Sequence, residues 1–221
     1  MIPAFAVDRT EVVLLHLARM MRAGEIPSLP IYADSPMALA TLAVYREAIE
    51  RGDPEIRSDL ADATQLLDPA GFHEVHDVAQ SMTLDVGRVP SIIISASGMA
   101  TGGRVLHHLK RYLPDHRATV AIAGFQAAGT RGRMLASGAR TVKLLGRYVP
   151  VRAEIVDISG LSVHADRDEI VEWMGTATRE PEMTLLVHGE PDASDALRDR
   201  IVDRLGYTTA VPRFGERVRL D

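Results

Sequence analysis

Three residues stand where chemistry needs them, each just past a short apolar run and just before a stretch with helical spacing. Asp34 follows residues 29–33, His164 lies in Leu161-Ser162-Val163-His164-Ala165-Asp166, and His188 lies in Leu185-Leu186-Val187-His188-Gly189-Glu190. Open α/β sheets gather their ligands at such strand-to-helix turns. An imidazole there can bind a metal or move a proton, and a carboxylate can hold it in position. Singly, each has a structural explanation: Asp34 as a helix cap, each histidine as a satisfied structural group. Two histidines in successive units, each beside an acid, weigh against that explanation. A further candidate is the loop Ser97-Gly98-Met99-Ala100-Thr101-Gly102-Gly103, whose small residues offer backbone N–H groups to a phosphate at a helix start. Ser97, Gly98, Thr101, Gly102 and Gly103 are its binding candidates, joined by Arg131 and Arg133 from Gly129-Thr130-Arg131-Gly132-Arg133. The loop lacks the Gly-Lys-Ser/Thr of a P-loop and the spacing of a dinucleotide fingerprint. Ser95, where a nucleophile elbow needs glycine, excludes that motif as well. The pairs His73 with His76 and His107 with His108 read as surface or core residues: the adjacent pair points in different directions on a helix, and the His-x-x-His pair has no nearby third ligand.

The elements that must position these residues follow from periodicity and punctuation. Residues 2–6 read as a strand, followed by a helix that Asp8 caps and Gly24 ends. Residues 29–33 form a second strand, and Asp34-Ser35-Pro36 open a helix to about Glu50. Residues 53–67 read as a helix, and residues 71–87 as a short strand and a helix. The run 91–95 is apolar throughout, as in a parallel strand buried on both faces, and leads through the small-residue loop into a helix over 104–112. Residues 119–124 repeat strand into loop, and the next helix opens at Gly129-Thr130-Arg131. After Arg140 hairpins replace the alternation, with short strands over 141–145, 148–151 and 153–158. That change of texture places a domain boundary near residue 150. The tail reads as a helix from Asp166 to about Met174, a strand over 184–187, a helix from Pro191 to about Leu205, and short strands around Thr208 and Arg217. The fold class is α/β.

At 221 residues, 46% hydrophobic and 25% charged, the chain is a globular protein with enough apolar mass for a core. With no cysteine, it has no disulfide, no Cys-ligated zinc, no iron–sulfur cluster and no thiol nucleophile. Any metal must be held by His, Asp or Glu. The longest uncharged stretch, 89–103, is too short and too polar to span a bilayer, and residues 1–7 reach Asp8 and Arg9 without a full signal-peptide core. The expectation is a cytoplasmic protein with no membrane partner. The net charge of −5 argues against nucleic acid, but its distribution argues the other way. Residues 86–153 carry eleven basic side chains and one acid, Asp115, a local excess of +10. Phosphate-bearing ligands are drawn to such a segment. The competing explanation is a solvated basic face.

Taken together and in order, Ser95-Ala96-Ser97-Gly98-Met99-Ala100-Thr101-Gly102-Gly103-Arg104, Gly124-Phe125-Gln126, Gly129-Thr130-Arg131-Gly132-Arg133, Leu161-Ser162-Val163-His164-Ala165-Asp166 and Leu186-Val187-His188-Gly189-Glu190 closely resemble the β-CASP group of metallo-β-lactamase-fold RNA-processing nucleases. The nearest likeness is to prokaryotic members akin to ribonuclease J and to the cleavage subunit of mRNA 3′-end processing. The resemblance implies a parallel-sheet β-CASP domain with helices on both faces over 1–150, and the returning C-terminal segment of an αββα metallo-β-lactamase domain over 151–221. It matches Asp34 to the acidic motif A, His164 to motif B and His188 to motif C. It implies that His188 ligates zinc, and that His164, oriented by Asp34, meets the scissile phosphate and helps protonate the leaving oxygen. The complete family site holds two zinc ions, mainly through an H-x-H-x-D-H motif and a further histidine and aspartate upstream of the position matching Met1. This sequence has no H-x-H-x-D-H.

The reading is therefore the C-terminal portion of a zinc-dependent RNA phosphodiester hydrolase, its N-terminal metal-binding half absent and the isolated chain inactive, with zinc bound weakly or not at all. Single-stranded RNA is the expected partner, and a homodimer stays open. The alternative is a non-catalytic RNA-binding or regulatory module. A sugar-phosphate or nucleotide-binding domain would explain the glycine loop but not the His-Ala-Asp and His-Gly-Glu signatures.

Overall fold

The computed structural model describes residues 1–57, 60, 67–84, 89–162 and 164–219. The helix expected over 53–67 lies mostly outside them. The chain divides into two compact units, Met1–Ser162 and Val163–Asp221.

Strand and helix alternate through most of the first unit: β1 (Ile2–Pro3), α1 (Arg9–Ala23), β2 (Ile31–Ala33), α2 (Pro36–Glu50), β3 (Phe72–Glu74), α3 (Val78–Thr83), β4 (Ile92–Ser95), α4 (Val105–Tyr112), β5 (Thr119–Ala123) and α5 (Arg131–Ala136). Then come β6 (Thr141–Leu144), β7 (Arg147–Pro150) and β8 (Glu154–Ile158). Four strands pair in parallel in the order β1-β4-β2-β3. The Met1 amine donates to Thr119 O, and the Ala121 N–H donates to Met1 O, both at 2.9 Å. That slanted exchange is the parallel pattern, so β5 flanks β1 and the order runs β8-β5-β1-β4-β2-β3. Because the strands are parallel, the turns after β2, β4 and β5 share one edge.

Side chains alternate along β5 and feed two cores. Ala121 and Ala123 join Ile2, Ile31 and Ile94 beneath Val13, Leu14 and Leu17 of α1 and Leu42 of α2. Val120 and Ile122 join Leu106 and Leu109 of α4, Leu135 of α5 and Val142 of β6. The period of two places these sets on opposite faces, so helices cover both sides of the sheet.

Local sequence explains most element ends. Ser35 caps α2, its Oγ accepting from the Ala38 N–H, with Pro36 in the first turn. Gly24 closes α1 at φ 72°. Asp8, expected to cap α1, makes no side-chain cap; its carboxylate instead accepts from the Tyr45 hydroxyl.

The run of hairpins expected after Arg140 stops at one. β6 and β7 are antiparallel, turning at Leu145 (φ 48°) and Gly146 (φ 79°). β8 does not fold back on β7; it runs parallel to β5 from Thr119↔Glu154 to Ala123↔Ile158. This pairing gives β8 a strand partner within the first unit, which runs to Ser162.

In the second unit, α6 (Arg167–Gly175) packs on α7 (Pro191–Leu205), and α7 also contacts β10 (Thr209–Ala210), which pairs in parallel with β9 (Thr184–Leu185). The strand expected around Arg217 does not form. Asp166 opens α6 with a capping box: its Oδ1 accepts from the Asp168 and Glu169 N–H groups, and Glu169 Oε2 accepts from the Asp166 N–H. Arg200 of α7 donates to Asp168 at 2.8 Å. Among the described residues no helix is long and apolar enough to cross a membrane.

Candidate functional site

Asp34 continues β2 for one residue: its N–H donates to Ile94 O at 2.8 Å and its carbonyl accepts from Ser95 Oγ at 2.9 Å. This locks the backbone, and the side chain is buried without exposure. Its carboxylate accepts from Arg104 Nη1 at 2.7 Å and from Ser81 Oγ, and lies 2.6 Å from His108 Nε2. Burial alone would raise the Asp34 pKa, but hydrogen bonds from His108, Ser81 and Arg104 together hold it below the ordinary value. Arg104 also donates to Val75 O and His76 O, both at 3.2 Å. Asp34 is thus the hub that ties the end of β2 to α3 and α4.

These partners were missed in the sequence. A signal was present, because Arg104 and His108 are four residues apart and so share a helix face. The adjacent His107 and His108 divide accordingly: His107 is exposed and His108 is buried, its ring stacked on Tyr112.

The loop after β4 is braced from within. Ser97 Oγ lies 2.9 Å from Thr101 Oγ1 and accepts from the Thr101 N–H. Gly98 leaves no room for a side chain, since a Cβ there would stand 2.9 Å from the Phe5 ring. Gly103 turns into α4 at φ 82°. Arg131 donates to Lys143 O at 2.7 Å, to Thr101 O at 3.1 Å and to Ala100 O at 3.2 Å. The guanidinium assigned to phosphate in the sequence reading is engaged by three carbonyls, whereas Arg133 is exposed. Gln126 is buried, donates to Gly98 O and Gly124 O, and presses against Gly132, where a Cβ would fall 1.6 Å from its Oε1. Asp34, the loop and Gln126 accordingly meet along the C-terminal edge of one parallel sheet.

His164 and His188 belong to the second unit. His164 is exposed at a bend two residues before the α6 cap. His188 is also exposed and takes a left-handed backbone, φ 69°, between β9 and α7. The next residue is tightly packed: a Cβ at Gly189 would lie 2.1 Å from Ser194 Oγ and 3.4 Å from its Cβ. The turn from β9 therefore closes tightly on α7. Left-handed backbone is costly for a non-glycine residue and tends to persist where function or packing demands it. His188 stands at the turn from β9 to α7, whereas His164 follows a 3-10 turn, Ser159–Leu161, and precedes α6.

Residues 10–135 match the family model of the Beta-Casp domain, and residues 148–212 match that of the Zn-dependent metallo-hydrolase RNA specificity domain. The chain is 34% identical over 218 residues to Ribonuclease TTHA0252 of Thermus thermophilus, covering 99% of this chain and 49% of that protein. It is 32% identical over 214 residues to an RNase J-like protein of Methanocaldococcus jannaschii, covering 97% and 48%. Against Transcription termination factor FttA of Pyrococcus abyssi it is 31% identical over 228 residues, covering 100% and 35%. The chain thus spans between a third and a half of these relatives. With a Beta-Casp model across most of the first unit and the RNA specificity model following it, the chain belongs to the β-CASP family of metallo-β-lactamase-fold RNA nucleases.

Proposed function

We propose that this chain is part of an RNA phosphodiester hydrolase acting on single-stranded RNA, with His164 and His188 as its contribution to the reacting centre. One observation carries the reading: the Beta-Casp and RNA specificity models match in sequence order, and the second spans both histidine turns. Phosphodiester hydrolysis needs an activated water, charge neutralisation at phosphorus and a proton for the departing oxygen. His164, exposed at its turn, is the group proposed to give that proton. His188 is proposed as a zinc ligand.

Among the described residues no group of three or more His, Asp or Glu is placed to hold a metal ion. The residues present do not by themselves compose a zinc site, and no step is derived through one. Alone, the chain is expected not to cleave RNA and to carry well under one zinc.

Asp34 admits two roles. It either orients His164, as its motif implies, or fixes α4 and the loop through the partners it has in its own unit. The test joins this chain to the preceding half of a relative such as Ribonuclease TTHA0252 and measures zinc content and RNA cleavage. His188→Ala should lower both. His164→Ala should keep zinc and lower turnover by roughly 10²–10⁴. Full cleavage by His164→Ala would overturn its assignment. Non-additive losses at Asp34 and His164 would support orientation; independent losses, with a drop in stability from Asp34→Asn, would support the scaffold role. A second reading, a non-catalytic RNA-binding module, draws on the relatives named transcription termination factor.

A further inference from the structure

A cavity of about 760 Å³ lies between α3 and α4, lined entirely by residues of the first unit. That volume falls within the roughly 300–1,000 Å³ of small-ligand sites. Its walls include Val78, Met82 and Leu145, apolar side chains that are 62%, 69% and 43% exposed. These three large hydrophobics are open to water on one concave surface. Among the described residues, the charged side chains lining it are Arg104, Lys110 and Arg111, with His107 among them. Arg104 is spent on Asp34 and two carbonyls, whereas Lys110 and His107 are exposed. Arg111 lies over the Tyr112 ring, 6.0 Å from its centre.

We propose that this groove is a nucleotide-binding site for single-stranded RNA, with a base against Val78, Met82 and Leu145 and a flanking phosphate at Lys110. The inference rests on the RNA reading above and extends it to a surface apart from His164 and His188. The pairing of surfaces argues for this occupant. A flat base removes the apolar walls from water whatever its identity, and the sugar–phosphate chain brings negative charge to Lys110. The groove also offers RNA a cation where Arg131, one of the phosphate candidates from sequence, is occupied by carbonyls.

The test uses the 221-residue chain and a fluorescent eight-residue oligouridylate, titrated at several salt concentrations. Lys110→Glu should weaken binding roughly tenfold and reduce the salt slope by about 0.7 or more, the value for one phosphate contact on a single strand. Met82→Glu, a change at an exposed site, should also weaken binding roughly tenfold by removing the surface under the base. Arg147→Glu, an exposed base of the same charged segment outside the groove, should change affinity less than twofold. Uridine 5′-monophosphate should compete better than inorganic phosphate. Equal losses for Lys110→Glu and Arg147→Glu, or an unchanged affinity for Met82→Glu, would overturn the groove while leaving the RNA reading intact. Absence of oligouridylate binding by the unmodified chain would overturn both. Circular dichroism of each variant checks that the fold is kept.

Discussion

Asp34 and Glu11 show how a buried carboxylate is treated when partners are present and when they are not. Asp34 has three side-chain partners and a lowered pKa. Its stabilising contribution is complete above the ordinary value of 3.8 and is lost as pH falls through the lowered folded value. Asp34→Asn leaves Arg104 and His108 without their anion, at a cost of roughly 3–5 kcal/mol. A shift of the urea midpoint to lower concentration would register it. Glu11 is buried and neither of its oxygens has a partner among the described residues. Burial outweighs the nearby backbone N–H groups of Glu11 and Asp8, which favour the charged form, and with the charge of Asp8 adding to it pushes its pKa up to about 7. Between the ordinary 4.5 and about 7 the folded state keeps a proton that the unfolded chain releases, so stability falls as pH rises across that window. Glu11→Gln should flatten that slope and raise stability at pH 8 by about 1–3 kcal/mol. Unfolding curves at pH 5 and pH 8 measure the difference.

Turns and close approaches decide the elements. The two-residue turn between β6 and β7 needs positive φ at both positions, the geometry that suits the twist of a hairpin. Leu145 occupies the first, at φ 48°. Asparagine tolerates left-handed backbone better, so Leu145→Asn should stabilise the first unit by about 0.5–1 kcal/mol. The same change removes an apolar wall from the α3–α4 groove, so a higher melting temperature should come with weaker oligouridylate binding. In α5, Gly132 is fixed by packing rather than backbone angle. A methyl there collides with Gln126 and stands 3.2 Å from Met99 Cα, and the Gly132 N–H donates to Met99 O at 3.0 Å. Gly132→Ala should cost about 1–3 kcal/mol despite the better helix propensity of alanine. Thermal unfolding of the pure variant tests which effect wins.

Over the whole molecule, charge count and binding surface part company. Residues 86–153 hold a +10 excess within a chain of net −5, yet several of those cations have internal tasks. Arg117 pairs with Asp115, Arg104 with Asp34, and Arg131 with three carbonyls. Arg131→Ala should therefore cost about 1–3 kcal/mol, read as a lower melting temperature, because it strands hydrogen-bond acceptors between the loop and β6. Lys110→Glu should leave the melting temperature within a degree or two while weakening RNA binding. If Arg131→Ala melts like the unmodified chain, the guanidinium is free for phosphate after all.

Local rules decided much of this molecule. An unbroken apolar run made β4 a central strand, Ser35 and Pro36 opened α2, Asp166 and Glu169 boxed the start of α6, and Gly24 stopped α1, each through residues within a few positions of one another. The combined motifs also identified the family, because a strand end, a small-residue loop and a helix start recur in fixed order. What needed the tertiary structure were partnerships across long separations. His108 meets Asp34 from 74 residues away, β8 chooses β5 over its neighbour β7, and Arg131 reaches the loop 30 residues before it. A buried charge or an unpaired strand edge must be satisfied by whatever the fold brings beside it. Sequence shows that the demand exists; only packing decides which group meets it.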